Sequence, residues 1–234
     1  MKNKARNATK KYHQEMYSDN VLFKKGSWLA KPKAEIIEVV ERDFADKANI
    51  RVLDLGSGIG RNAIPIAKII GKLGGRVTCV DYLDLAIKKL LDYASKYKVP
   101  DFIEGIVSPI EKFVIESDTY DFIIAHSVLT HVENKKVMAQ LINNMAKGVK
   151  KNGIIYINMI TNLQEFDVAT DKERDPEAEV EISFDEASKL LRKVFNRWEI
   201  QTLNKNLYQE KFYKGEREIL WKADYLLFIA KNTT

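Results

Sequence analysis

Residues Val52 to Asn62 read VLDLGSGIGRN, and the fold turns on them. A short apolar run, Ile50 to Leu55, stops at Gly56-Ser57-Gly58-Ile59-Gly60. Arg61 to Leu73 then reads as a helix halted by Gly74-Gly75. A strand that ends in a glycine loop and enters a helix directly puts free backbone N–H groups and the helix dipole beside a ligand. Gly56 and Gly58 allow a close backbone approach that a Cβ would block. A plain tight turn uses the same residues, and nucleotides and dinucleotides use similar loops, so the loop alone is a weak signal. Three details sharpen it. Asp54 lies inside the strand end, where a site for a pyrophosphate has little use for a carboxylate. The spacing is G-x-G-x-G, with Arg61 where a dinucleotide fingerprint carries its last glycine. Asp81 ends the next strand, at the distance where a carboxylate meets ribose hydroxyls.

Outward from the loop, strands and helices alternate. Lys33 to Asp46 is periodic in the helical sense, with Pro32 suited to its first turn. Arg76 to Val80 is a buried strand, Leu83 to Tyr97 a helix, Phe102 to Val107 a weaker strand and Tyr120 to Ala125 a strong one. Lys135 to Val149 reads as helix, Ile154 to Ile160 as strand and Phe184 to Phe195 as helix. This rhythm implies right-handed crossovers and a doubly wound α/β fold with a parallel sheet covered on both faces. The end of the chain breaks it. Trp198 to Leu203 and Ile219 to Ala230 are extended, with no crossover helix between them. The polar stretch Asn204 to Glu218 contains Lys214-Gly215, a turn signal, so the two segments are expected to be antiparallel neighbours.

At 234 residues the chain suits one generous domain, and 45% hydrophobic with 30% charged residues is ordinary for a globular protein. No stretch approaches the roughly 18 apolar residues needed to span a bilayer, and the basic start MKNKARNATKKYHQ has no apolar run behind it. Cys79 is the only cysteine, which excludes an internal disulfide and a cysteine-rich zinc site; no metal is expected, and a reducing cytoplasm is the simplest location. The net charge is +5, supplied largely by Lys2, Lys4, Arg6, Lys10 and Lys11. Residues 1–31 are therefore expected as a solvated, partly disordered tail, with a possible lid role, ahead of a domain over 32–234. Thr161 to Glu181 reads as an acidic loop insertion, carrying Glu165, Asp167, Asp171, Glu173, Asp175, Glu177, Glu179 and Glu181. Long loops at the carboxyl ends of parallel strands commonly carry substrate contacts.

The glycine segment resembles motif I of the class I S-adenosylmethionine-dependent methyltransferases, VTCVDYL resembles their second motif and YDFIIAHSVLTHVEN their fourth. GRNAIPIA and the closing WEI…YLLFIAK look most like the tellurite-resistance and related small-molecule methyltransferases. The resemblance implies a Rossmann-like, mostly parallel sheet of about seven strands ending in an antiparallel hairpin. It implies S-adenosylmethionine as cofactor, held by Asp54, Leu55, Gly56, Ser57, Gly58, Gly60, Arg61 and Asn62. Asp81 would take the ribose hydroxyls, Tyr82 and Leu83 would lie against adenine, and Ala125 and His126 would pass beside the sulfonium. The family usually has an acid after the third strand for the adenine amino group. Here Phe113 sets the register, which puts Val107 at that position and leaves Ser108 to accept a hydrogen bond in its place.

His126 and His131 are the candidate catalytic groups, since a histidine near neutrality can take a proton from a hydroxyl, amine or thiol acceptor. His126 is the better acid/base candidate and His131 is expected to shape the pocket; many methyl transfers need only alignment. Cys79 belongs to the core. Tyr12, Tyr17 and Trp28 would either lid the site, favouring the sulfonium through their ring faces, or staple the fold. The expected acceptor is a small molecule, because the acidic insertion would repel a polyphosphate backbone. Methylation of RNA or protein remains an alternative. A nicotinamide-nucleotide oxidoreductase would share the loop and Asp81 but not Asp54 or the antiparallel ending.

Overall fold

The computed structural model describes residues 2–176 and 178–234, with side chains from Ala5 onward; Met1 and Glu177, the latter counted above among the insertion's acids, lie outside the described residues. In chain order the elements are α1 (Lys2–Asp19), α2 (Ala34–Asp43), β1 (Arg51–Leu55), α3 (Ala63–Ile70), β2 (Arg76–Asp81), α4 (Asp84–Lys96), β3 (Ile103–Val107), β4 (Tyr120–His126), α5 (Lys135–Gly148), β5 (Val149–Asp167), β6 (Lys172–Arg174), α6 (Phe184–Val194), β7 (Glu199–Lys214) and β8 (Arg217–Lys231). The sheet runs β3-β2-β1-β4-β5-β8-β7, with β6 paired to β5 off this path. β1 to β5 are parallel, and β8 is antiparallel to both β5 and β7.

The period of two along each strand divides the interior. Val52, Val77, Cys79, Phe122 and Ile124 face α2, α3 and α4, where they meet Ile36, Val40, Ile64 and Leu90. Leu53, Leu55, Ile123 and Ala125 face α5 and α6, against Met138, Ile142 and Leu191. Both faces are therefore dry, as a parallel sheet requires. Two helices begin where the sequence supplies caps: on α5 Asn134 accepts from the amides of Lys136 and Val137, and Ser183 with Glu186 forms a capping box on α6. Each cap stabilises its helix by about 1 kcal/mol. Strand order reverses between β1 and β4, which opens a crevice at their carboxyl ends. No helix among the described residues is long and apolar enough to cross a membrane.

Three expectations are corrected. The basic tail is a helix from Lys2 onward, because it has a surface to lie on: Ala5 and Tyr17 are buried, Arg6 pairs with Glu111 at 3.1 Å, and Lys89 donates to the Tyr17 carbonyl. The acidic insertion is a loop only in part. β5 runs on through Thr161 to Asp167, and β6 folds back with Arg174 opposite Glu165. Glu165 is fully buried and accepts from Trp221 Nε1 at 3.0 Å and Lys214 Nζ at 3.4 Å. A buried carboxylate must be paired, and this pairing fastens the polar continuation of β5 to β7 and β8. Finally, Asn204 to Glu218 is not a connection. β7 continues to Lys214 and meets β8 through the turn Gly215-Glu216, where Gly215 takes φ +69°. As an edge strand with most of its residues exposed, β7 shows little apolar alternation.

Candidate active site

The glycine loop emerges from β1 with Gly56, Gly58 and Gly60 all at positive φ. A Cβ on Gly56 would stand 2.4 Å from Val128, just after β4, and one on Gly60 2.4 Å from Leu90 of α4. The loop's N–H groups are not free, as the strand-loop-helix pattern suggested. The amides of Gly56 and Ser57 donate to Val80 O at 2.8 and 3.1 Å, Gly60 donates to Ser57 O at 3.1 Å, and Gly58 donates to Asp81 Oδ2 at 2.9 Å. The helix that follows starts only at Ala63, since Arg61 and Asn62 are used elsewhere. Asn62 Oδ1 accepts from the Lys33 amide at 3.0 Å, tying the loop to the start of α2.

Two carboxylates therefore dominate the crevice. Asp54 is 2% exposed and its Oδ2 has no hydrogen-bond partner. Burial pushes its carboxyl up to about 7, the Arg61 charge opposing and the Asp81 charge adding to the rise. Asp81 is also buried and accepts from Leu83 N at 3.0 Å as well as from Gly58; burial raises it, and those two amides pull against the rise. Arg61 lies under Trp28, with Nη1 donating to the Trp28 carbonyl at 3.0 Å and the guanidinium 4.9 Å from the indole centroid. Tyr17 reaches down from α1 so far that its hydroxyl is 2.6 Å from where a Cβ on Gly58 would stand.

The remaining expected positions sort by which way their side chains point. Leu55 and Ala125 face the core on the α5 side and Leu83 the core on the α4 side, so these three offer backbone alone. Tyr82 is partly exposed, with Arg6 of α1 6.0 Å above its ring. Ser57 Oγ is buried without a partner. Val107 is 49% exposed; Ser108 spends its hydroxyl proton on Pro109 O at 3.0 Å, which leaves the oxygen able to accept.

The two histidines have different surroundings. His126 stacks on Tyr156, its Nδ1 3.2 Å from the Tyr156 hydroxyl. Burial, with the Arg61 and Lys33 charges, holds it well below the usual histidine range, so it is neutral and weakly basic. His131 ends a short 3-10 turn, Leu129–His131, with Nδ1 3.1 Å from Glu179 Oε2 and its ring 6.0 Å from that of His13 on α1. Residue-by-residue reading missed His13, Tyr156 and Glu179 as site groups. Tyr156 was legible only as a strand position, and Glu179 only as one acid among eight.

The sequence model of the family described as "Tellurite resistance protein TehB" matches residues 16–218. Among curated proteins, a ubiquinone biosynthesis O-methyltransferase of Rickettsia canadensis (strain McKiel) is 33% identical over 129 residues, 55% of this chain and 50% of the relative. An arsenite methyltransferase of Mus musculus is 26% identical over 118 residues, 47% of this chain and 30% of that one. The chain thus spans half the length of the first relative and less than a third of the second. Among solved structures, TehB from Haemophilus influenzae superposes with a TM-score of 0.62 at 20% identity, covering 86% of this chain and 62% of that one, a likeness of fold.

Proposed function

Because this chain belongs to the tellurite resistance protein TehB family, we propose that it is an S-adenosylmethionine-dependent methyltransferase acting on a small-molecule acceptor. The observation that carries the proposal is the orphaned Oδ2 of Asp54, buried at the end of β1 and acted on by the Arg61 charge. A buried carboxyl and a guanidinium whose charge reaches it suit the ammonium and carboxylate of an α-amino acid, and Asp81 at the end of the next strand suits a vicinal diol. A pyrophosphate would need the loop amides, and those of Gly56, Ser57, Gly58 and Gly60 already donate within the protein. The residues fit the amino-acid and ribose ends of S-adenosylmethionine better than a nicotinamide dinucleotide. When bound, that cofactor supplies an electrophilic methyl group on a sulfonium. The protein supplies alignment, exclusion of water and ring faces from Tyr17 and Trp28.

The curated relatives named for ubiquinone biosynthesis and arsenite support a small acceptor. Calorimetry with S-adenosylhomocysteine and NAD in parallel tests the cofactor. Wild type should bind S-adenosylhomocysteine at micromolar strength, and Asp81→Ala should weaken it about tenfold or more, given roughly 1.5–3 kcal/mol per charged hydrogen bond. Tighter binding of NAD, or equal binding by Asp81→Ala, would sink the assignment. Labelled cofactor offered with small thiols, catechols, amines, chalcogen and arsenic oxyanions, RNA and protein then identifies the acceptor class. Label in RNA or protein alone would overturn the small-molecule reading.

A further inference from the structure

Glu179 is a buried acid on an otherwise polar segment, its side chain only 7% exposed. Its Oε2 lies 3.1 Å from Nδ1 of His131, and the next residue, Val180, donates its amide to the carbonyl of Thr130 at 3.1 Å. The segment is thus clasped to the turn after β4 at two consecutive residues, once by side chain and once by backbone. Burial alone would push the Glu179 carboxyl up; the His131 hydrogen bond and charge outweigh that and hold it below the usual glutamate range, so it is ionised. An ionised carboxylate accepts only, so the proton of this contact sits on Nδ1 of His131 and the lone pair of the neutral ring sits on Nε2.

Other charged groups around the ring do not compete for Nδ1. His13 approaches edge-on from α1 but stays neutral, since burial and the neighbouring His131 bring it down to about 4. Asp81 of β2 feels His131 as a charge while giving its own oxygens to the amides of Leu83 and Gly58. Nε2 has no hydrogen-bond partner among the described residues, and the ring meets His13 of α1, the helix that covers the glycine loop.

We propose that Glu179 is a positioning residue that fixes the tautomer of His131, leaving Nε2 to accept the proton of a hydroxyl or thiol acceptor. This rests on the methyltransferase reading. In the step, a lone pair of the acceptor oxygen or sulfur forms the new bond to the methyl carbon, and the old carbon–sulfur pair stays on sulfur. The acceptor's proton passes to Nε2 of His131, and the resulting imidazolium is balanced by Glu179 until the proton leaves to water. Of the two histidines, this makes His131 the base. His126, pinned to Tyr156 beside Arg61 and Lys33, lines the pocket.

Nitrogen-15 NMR of histidine-labelled full-length protein at alkaline pH, without cofactor, reads the tautomer directly. Wild type should carry the neutral proton of His131 on Nδ1. Glu179→Ala should move it to Nε2, the form a free imidazole prefers, and Glu179→Gln, whose amide oxygen still accepts, should keep it on Nδ1. Affinity for S-adenosylhomocysteine in Glu179→Ala should stay within about twofold of wild type. For a hydroxyl or thiol acceptor found in the screen, turnover of Glu179→Ala should fall about 10²-fold at unchanged cofactor KM. An unswitched tautomer in a protein that binds S-adenosylhomocysteine overturns this proposal alone, as does an acceptor with no proton to lose, or an affinity loss as large as that of Asp81→Ala. Failure of wild type to bind S-adenosylhomocysteine overturns the proposed function and the base role with it.

Discussion

Asp54 is the residue whose cost and use are easiest to separate. Its carboxyl is pushed up to about 7 in the folded chain, well above an ordinary aspartate, so the folded form holds a proton that the unfolded chain has already lost. Stability therefore declines as pH rises from about 4 to about 7 and is level above that, the opposite of a salt-bridged aspartate. A ligand ammonium reverses the sign, because it pairs with the ionised form. Affinity for S-adenosylhomocysteine should climb toward pH 7 by up to about tenfold per unit and then level off, with a shallower climb in Asp54→Asn. Identical slopes in the two proteins, measured by titration from pH 5.5 to 8, would contradict this. Asp54, Asp81 and the glycines were legible because each sits within a short motif. The fate of the loop amides was not, since Val80 O lies on the next strand. Glu179 was not either, because its partner His131 is 48 residues away and nothing in spacing joins them.

Among the elements, α1 separates what sequence patterning can tell from what packing decides. Its apolar content is too low for a periodic stripe, so composition argued for a solvated tail, yet along its length it meets Tyr82, then His131, then Gly58. Propensity is a weak prior when a helix docks by a few anchors. β5 and β7 fail the same test differently: their outer parts mix polar and apolar residues without clear alternation, and they are strands there because each pairs with β8. The inner strands, apolar and bounded by glycine or by aspartate at a strand end, were read almost to the residue. Since Tyr17 of α1 lies over Gly58, the proposed cofactor site lies beneath this helix. Tryptic cleavage at the exposed Lys10 and Lys11 should slow several-fold when S-adenosylhomocysteine is present. Equal cleavage rates with and without it would show that α1 does not close on the ligand.

Taken whole, the molecule joins a parallel half, where β1 and β4 aim Asp54 and His126 into the crevice, to an antiparallel half that rises past the crevice as a wall. Alternation of strands and helices disclosed the first half, and the turn signal at Lys214-Gly215 the closing hairpin; the junction of β5 with β8 depends on pairing between residues more than 50 apart, such as Glu165 with Trp221, which no local pattern records. The wall is hydrogen-bonded to the core through β5 and β8, with a register shift between Thr161 and Gln164, and so opens less readily than a docked helix. α1 is different. Its buried apolar anchors are Ala5 and Tyr17, assisted by ionic contacts such as Arg6 with Glu111 that salt weakens. Amide hydrogen exchange should accordingly resolve two populations. β1, β4 and β5 should exchange only through global unfolding. The amides of α1 should exchange orders of magnitude sooner, and sooner still in high salt, which would make undocking of one helix the slow gate through which spent cofactor leaves.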